Sequence, residues 1–174
     1  MIEYMIIRKQ FPQLLAPYCI AFEKSVGAVV FRYTKNEVEF LFMKYRNGHW
    51  EFPRGKVENN ESEHQTMQRE IEEETGITQT QLIEKFRETM RFSYKASGQE
   101  LLDRKDDKNC MYIHKKVVFY LAEALNTNIV ISHEHQTFQW LTFEEGYEKL
   151  TFQNAKNILD SAHKHLEKNN ILHK

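Results

Sequence analysis

The chain is poor in cysteine, has no surplus of either charge and contains no long apolar run. Cys19 and Cys110 are its only cysteines among 174 residues. Two scattered thiols make neither a disulfide framework nor a zinc site, so both are expected to be reduced. Lys and Arg number 24 against 25 Asp and Glu, for a formal net charge of −1. No overall field recruits nucleic acid: DNA is not an expected partner, and any phosphate must be gripped by basic groups placed locally. No apolar stretch approaches membrane-spanning length, which argues against a membrane helix. The start, Met1 to Lys9, lacks the basic-then-apolar order of a secretory leader, and the expectation is a cytoplasmic chain. There is no internal repeat. What is present, 41% hydrophobic and 28% charged residues, fits one globular domain with a sizeable core.

The richest stretch runs from Gly55 to Ile77. Between Ser62 and Thr75 the chain lacks Gly and Pro, is rich in Glu and Gln, and stops at Gly76, the residue expected just past a helix end. On that helix Glu70, Glu73 and Glu74 fall at i, i+3 and i+4 and share a face, with Met67 and Ile71 on the flank available for packing. Three like charges on one face repel each other. A divalent cation would neutralise them, and hard oxygen ligands in this number suit Mg²⁺ or Mn²⁺ rather than zinc. Gly55 allows a tight turn in which a backbone carbonyl faces the same cation. Arg69 and Glu61 are spaced to pair and hold the loop between them against the helix. On its own, a Glu-rich face of this kind reads more readily as a solvated helix surface.

Strands surround this helix. Val26 to Tyr33 and Val38 to Tyr45 are apolar, β-branched runs separated by Thr34-Lys-Asn-Glu37, which reads as a hairpin. Leu82 to Tyr94 alternates as one strand, and Ile113 to Leu121 forms another. Between them, residues 96 to 112 carry Asp103-Arg-Lys-Asp-Asp-Lys108, expected as a mobile charged loop. A last strand near Phe138 to Leu141 leads to a helix with Ala155, Ile158, Leu159, Ala162 and Leu166 as its core stripe. The order implies an α/β chain with a mixed sheet between helices. Residues 1 to 20 read as an extension of unknown role, and 21 to 174 as a single domain carrying the 96 to 112 insertion.

Gly55, Glu61, Arg69, Glu70, Ile71, Glu73, Glu74, Gly76 and Ile77 all agree with G-x5-E-x7-R-E-U-x-E-E-x-G-U, where U is a bulky apolar residue. That is the signature of the Nudix hydrolases, and the chain resembles that family. The resemblance implies an α/β/α sandwich, divalent-metal dependence, and hydrolysis of a phosphoanhydride. It implies metal ligation by Gly55, Glu70, Glu73 and Glu74, with Arg69 in the catalytic group. Further segments resemble the asymmetrical diadenosine tetraphosphate hydrolases: Ser25 to Arg32, His49-Trp50 leading to Pro53-Arg54-Gly55, Lys115 to Glu123, and Ser132-His-Glu134-His-Gln136 before Trp140-Leu141. This closer resemblance implies that Glu134 enters the site as a metal-site carboxylate or base. It implies phosphate contacts from His49, Arg54 and Lys115, and base stacking by Tyr94 and Phe152.

The residues themselves leave some of this open. Lys115 shares parity with Val117, Phe119 and Leu121, so it either meets an anion or snorkels to a rim. Arg54 stands where the subfamily usually has lysine, and its planar fork makes its role different in detail. Phe152 suits core packing as well as stacking. His133 and His135 flank Glu134, but neighbours on extended chain point to opposite sides, which argues against a transition-metal site. The expected substrate is a nucleoside polyphosphate handled by a monomer with Mg²⁺, diadenosine tetraphosphate going to ATP and AMP. An RNA 5′ end, an inositol pyrophosphate or nucleotide sugar, and a non-catalytic nucleotide sensor are the alternatives.

Overall fold

The structure is a computed structural model and describes residues 19–35, 37–106 and 110–172. Positions 1–18, most of the expected extension, lie outside the described residues. Eight strands and four helices are described, and they make a mixed α/β chain around one sheet, as the sequence implies. β1 (Ile20–Tyr33) and β2 (Val38–Tyr45) form the expected antiparallel hairpin, with Tyr33 opposite Val38 and Phe31 opposite Phe40. β3 (Trp50–Glu51) pairs with β2, and β4 (Arg54–Lys56) with β1. The acidic helix α1 (Glu63–Thr75) follows, then β5 (Thr80–Leu82), β6 (Glu88–Lys95), α2 (Gly98–Asp106) and β7 (Tyr112–Ala124). β8 (His135–Leu141) pairs with β2 and leads to α3 (Phe143–Lys149) and α4 (Gln153–Lys168). The sheet order is β3-β2-β1-β7-β5, with β4 on β1, β6 on β7 and β8 on β2.

From Ser25 to Phe31 every residue of β1 is buried, so the strand is covered on both faces rather than alternating. One face meets α1: Val26, Ala28, Val30, Leu41, Met43, Val118 and Tyr120 pack with Met67 and Ile71 of that helix. The stripe on α4 is as expected, with Ala155, Ile158, Leu159, Ala162 and Leu166 all buried.

Backbone contacts divide the described residues into two compact units, one within 24–90 and 117–172, the other within 19–23 and 91–116.

Three expectations are corrected. The strand expected from Leu82 to Tyr94 is two strands, because Lys85 takes a left-handed φ of 63° and the chain turns there. The expected loop holds α2, whose charges fall at helical spacing: Gln99 donates to Asp103 at 2.7 Å and Arg104 pairs with Glu100. Cys19 and Cys110 are not free thiols but a disulfide, 91 residues apart in sequence with Cα atoms 5.1 Å apart. Folding, not spacing, brings them together.

Candidate active site

α1 is fixed at both ends by its own sequence. Ser62 caps it by accepting from the Gln65 N–H, while Gln65 accepts from the Ser62 N–H, a reciprocal capping box. Gly76 ends it at φ 75°, donating to the Glu72 carbonyl at 2.8 Å. The helix therefore presents Glu70, Glu73 and Glu74 in a set rotation.

Arg69 organises the loop before it. Its Nε and Nη2 donate to Glu61 at 2.7 and 2.9 Å, Nη2 also to the Lys56 carbonyl at 2.9 Å, and Nη1 to Glu70 at 2.7 Å and Glu73 at 3.0 Å. Glu61 accepts in addition from the Glu58 N–H and the Thr66 hydroxyl. The Arg69 guanidinium, with these further donors, holds the Glu61 carboxyl down at about 2. The pairing read from the sequence thus ties the loop 56–61 to the helix.

Glu70 lies where a side chain at Gly55 would be: a Cβ there would sit 2.0 Å from Glu70 Oε1. Glycine at 55 is what lets this carboxylate reach the β4 backbone. Glu74 is buried too and accepts the Arg54 N–H at 3.0 Å. Burial, then the Glu70 charge, pushes the Glu74 carboxyl up to about 8, and burial also raises Glu70. Glu73 is the exposed member, its side chain 59% accessible.

Glu134 joins this field from far along the chain. Backbone bonds from Val130 N to Thr75 O at 2.9 Å and from Ser132 N to Glu74 O at 3.2 Å pin its segment to the end of α1. The Glu134 charge contributes to raising both Glu70 and Glu74. Among the described residues no three His, Cys, Asp or Glu side chains converge as a closed metal cage would. Arg69 turns Glu70 and Glu73 toward itself instead.

Beside the carboxylates runs a line of rings. Phe152, half exposed, meets His49 at 5.4 Å; His49 stacks on Tyr45 at 4.7 Å; and His135 meets Tyr45 edge-on at 4.4 Å. The His135 Nε2 stands 3.7 Å from Glu74, and the His49 Nε2 stands 3.6 Å from Glu51. Burial lowers the pKa of both imidazoles, so the neutral forms dominate. Arg54 gives its Nε and Nη2 to Glu51 at 3.1 and 2.9 Å, with the Tyr45 ring 5.7 Å away. Burial would lower the Arg54 pKa, but Glu51, only 2% exposed, more than offsets it.

Gly55, Arg69, Glu70, Glu73, Glu74, Glu134, His49, Arg54 and Phe152 thus belong to one compact unit, Lys115 and Tyr94 to the other. Sequence reasoning missed Glu51, Tyr45 and His135. Glu51 was detectable at i−3 from Arg54 in Trp50-Glu-Phe-Pro-Arg54. His135 was set aside with His133, yet it alone of the two is buried. Its Nδ1 lies 3.1 Å from the Ser132 hydroxyl.

Comparison with known proteins identifies the family. The NUDIX domain matches residues 21–161. The asymmetrical bis(5′-nucleosyl)-tetraphosphatase of Sus scrofa is 32% identical over 155 residues, covering 82% of this chain and 95% of that protein. Its Caenorhabditis elegans counterpart is 31% identical over 141 residues, covering 78% and 91%. A crystal structure of a C. elegans Ap4A hydrolase binary complex superposes with a TM-score of 0.69 at 28% identity, covering 84% of this chain and 98% of that one. The chain belongs to the NUDIX hydrolase family, whose members generally use divalent metals.

Proposed function

We propose that this chain hydrolyses one phosphoanhydride of a dinucleoside polyphosphate, taking diadenosine tetraphosphate to ATP and AMP. The observation that carries the reading is the pair of buried carboxylates on α1, Glu70 against Gly55 and Glu74 against the Arg54 N–H, both raised in pKa by burial, with the Glu70 charge raising Glu74 further. The curated relatives named asymmetrical tetraphosphatases support the substrate.

Hard carboxylate oxygens on one helix face, within reach of each other's charge and of the β4 backbone, fit a divalent cation. Glu70, Glu73, Glu74 and Glu134, with the Gly55 carbonyl, would hold it, and Mg²⁺ is the proposed ion, with Mn²⁺ able to substitute. When bound, it supplies charge neutralisation at phosphate oxygens and a more acidic water.

The protein's own groups do the rest. Arg69 holds Glu70 and Glu73 in place through its contacts to Glu61 and the Lys56 carbonyl. Glu134 or one of the helix glutamates accepts the proton of the attacking water. Negative charge on the transferred phosphoryl group is met by His49 and by Arg54, whose Nη1 edge is left over from its pairing with Glu51. Phe152 offers a half-exposed aromatic face to a base. Lys115 as a phosphate ligand and Tyr94 as a base-stacking ring are assigned on resemblance alone.

The chain is proposed to act as a monomer on this small-molecule substrate. No helix among the described residues is long and apolar enough to cross a membrane. A cytoplasmic setting is part of the proposal, and there the Cys19–Cys110 bond would face reducing thiols. The test is chromatographic analysis of diadenosine tetraphosphate after incubation with enzyme and Mg²⁺, beside a 5′-triphosphorylated RNA. Equimolar ATP and AMP are expected. Two ADP per dinucleotide, or an intact dinucleotide with the RNA processed, would overturn the reading.

A further inference from the structure

The smaller unit contains a buried arginine that the proposed chemistry does not use. Arg104 on α2 has only 10% of its side chain exposed. A guanidinium removed from water requires acceptors on each edge. Arg104 finds three: its Nη2 pairs with Glu23 of β1, its Nε donates to Glu100 Oε1 at 3.1 Å, and its Nη1 donates to the Cys110 carbonyl at 3.3 Å. Glu100 Oε1 also accepts the Tyr94 hydroxyl at 3.1 Å. Burial and the Glu100 charge push that phenol up to about 12, so it stays a donor across the working pH range.

These contacts form a closed circuit. Cys19 leads along β1 to Glu23, Glu23 meets Arg104, Arg104 meets Cys110, and the disulfide returns from Cys110 to Cys19. The base of the insertion is closed separately by the Ala96 N–H donating to the Met111 carbonyl at 2.8 Å. Tyr94 hangs on this circuit through Glu100, with Phe92 6.0 Å away on the same strand. Removing Arg104 would take the guanidinium away from Glu23 and Glu100, and Glu100 would no longer be held with one oxygen toward the tyrosine.

We propose that Arg104 is a positioning residue that sets the Tyr94 ring through Glu100, and that the Cys19–Cys110 disulfide holds Arg104 in place, so that the grip on a substrate base depends on the oxidation state of that pair. The inference rests on Tyr94 stacking a base, as assigned above. Opening the bond takes two electrons and two protons from a dithiol, which leaves as its own disulfide, while Cys19 and Cys110 become thiols. The covalent tie between Cys110 and Cys19 is then gone, and one of the three anchors of Arg104 loosens. The glutamates of α1 take no part in this circuit, so the effect falls on KM and not on kcat.

Steady-state kinetics on diadenosine tetraphosphate test it, using the full chain with thermal melts run alongside. Tyr94→Ala sets the scale: loss of a stacked base raises KM by roughly tenfold. Arg104→Gln is expected to raise KM by about three- to tenfold with kcat within about twofold, and Arg104→Lys to recover part of the loss. Treating the wild type with dithiothreitol should reproduce part of the KM rise. The Cys19→Ser, Cys110→Ser double variant should show the same rise and no response to the dithiol. If Tyr94→Ala leaves KM unchanged, the stacking assignment fails and this inference with it. If Tyr94→Ala raises KM while Arg104→Gln and reduction leave it alone, stacking stands and the positioning role is wrong. An equal fall in kcat across the Arg104 variants would also overturn it, marking Arg104 as structural support only. The reduced wild type keeps the test open should the Arg104 variants fail to fold.

Discussion

Arg69 and Arg104 are each ringed by glutamates and a backbone carbonyl, one in each compact unit, yet their partners lie at very different distances along the chain. Arg69 gathers Glu61, Glu70, Glu73 and the Lys56 carbonyl, none more than 13 residues away. Arg104 reaches Glu23, 81 residues away, and a carbonyl adjoining a disulfide that spans 91. The first arrangement forms whenever α1 and its loop form. The second exists only once β1, α2 and the end of the insertion have met. A local hub suits chemistry, which needs the glutamates held fixed; a hub built from distant pieces and closed by a reducible bond suits adjustment.

The sharpest way to break that comparison is at the carboxylates. Glu74→Gln keeps size and the Arg54 N–H contact but cannot ionise to hold a cation, and hydrolysis is expected to fall on the order of 10²–10³-fold with the melting temperature little changed. Next come the two arginines, which should separate in kinetics. Arg69→Gln should lower kcat by roughly 10- to 100-fold, as loss of a group that orients ligands does, whereas Arg104→Gln should move KM alone. If both variants lower kcat together, the two hubs are not distinct in purpose.

Gly55→Ala sharpens the local side. The new Cβ would lie 2.0 Å from Glu70 Oε1, the end of a flexible side chain that can swing away. Stability should therefore drop by only about 1 kcal/mol in a thermal melt, while activity falls about tenfold because the carboxylate has moved. The smallest effect concerns Glu63 at the start of α1. Arg87 first, with Lys24 and Tyr120, holds its carboxyl well below the usual range. A depressed folded-state pKa contributes stability present above the ordinary glutamate value and lost as pH falls through the lowered one. Glu63→Gln should therefore flatten the acid limb of a stability–pH curve, by about 1 kcal/mol or less given its contact with water.

The local hub is also the part that could be read in advance. The caps at Ser62 and Gly76, the i, i+3, i+4 glutamates and the Arg69–Glu61 pair all follow from short spacings, and so does the α4 stripe. Fixed spacing carries no information about Glu23 and Arg104, or about Cys19 and Cys110, because only the folded sheet brings those positions together. The charged stretch after Ser97 misled because charge density suggests a loop, while the helical spacing of Gln99 to Asp103 and Glu100 to Arg104 decides the conformation. Lys85 shows the converse: alternation suggested one strand, and one left-handed residue broke it. Around Arg54, a buried guanidinium demanded a buried anion, and Glu51 three residues earlier supplies it.

The account turns on the α1 glutamates holding the metal that the chemistry requires, and electron paramagnetic resonance of Mn²⁺ titrated into the protein tests that most directly. Wild type and Arg104→Gln should bind Mn²⁺ equally, and Glu74→Gln should lose most of the bound signal. Undiminished Mn²⁺ binding by Glu74→Gln would contradict the assignment of the metal to this helix.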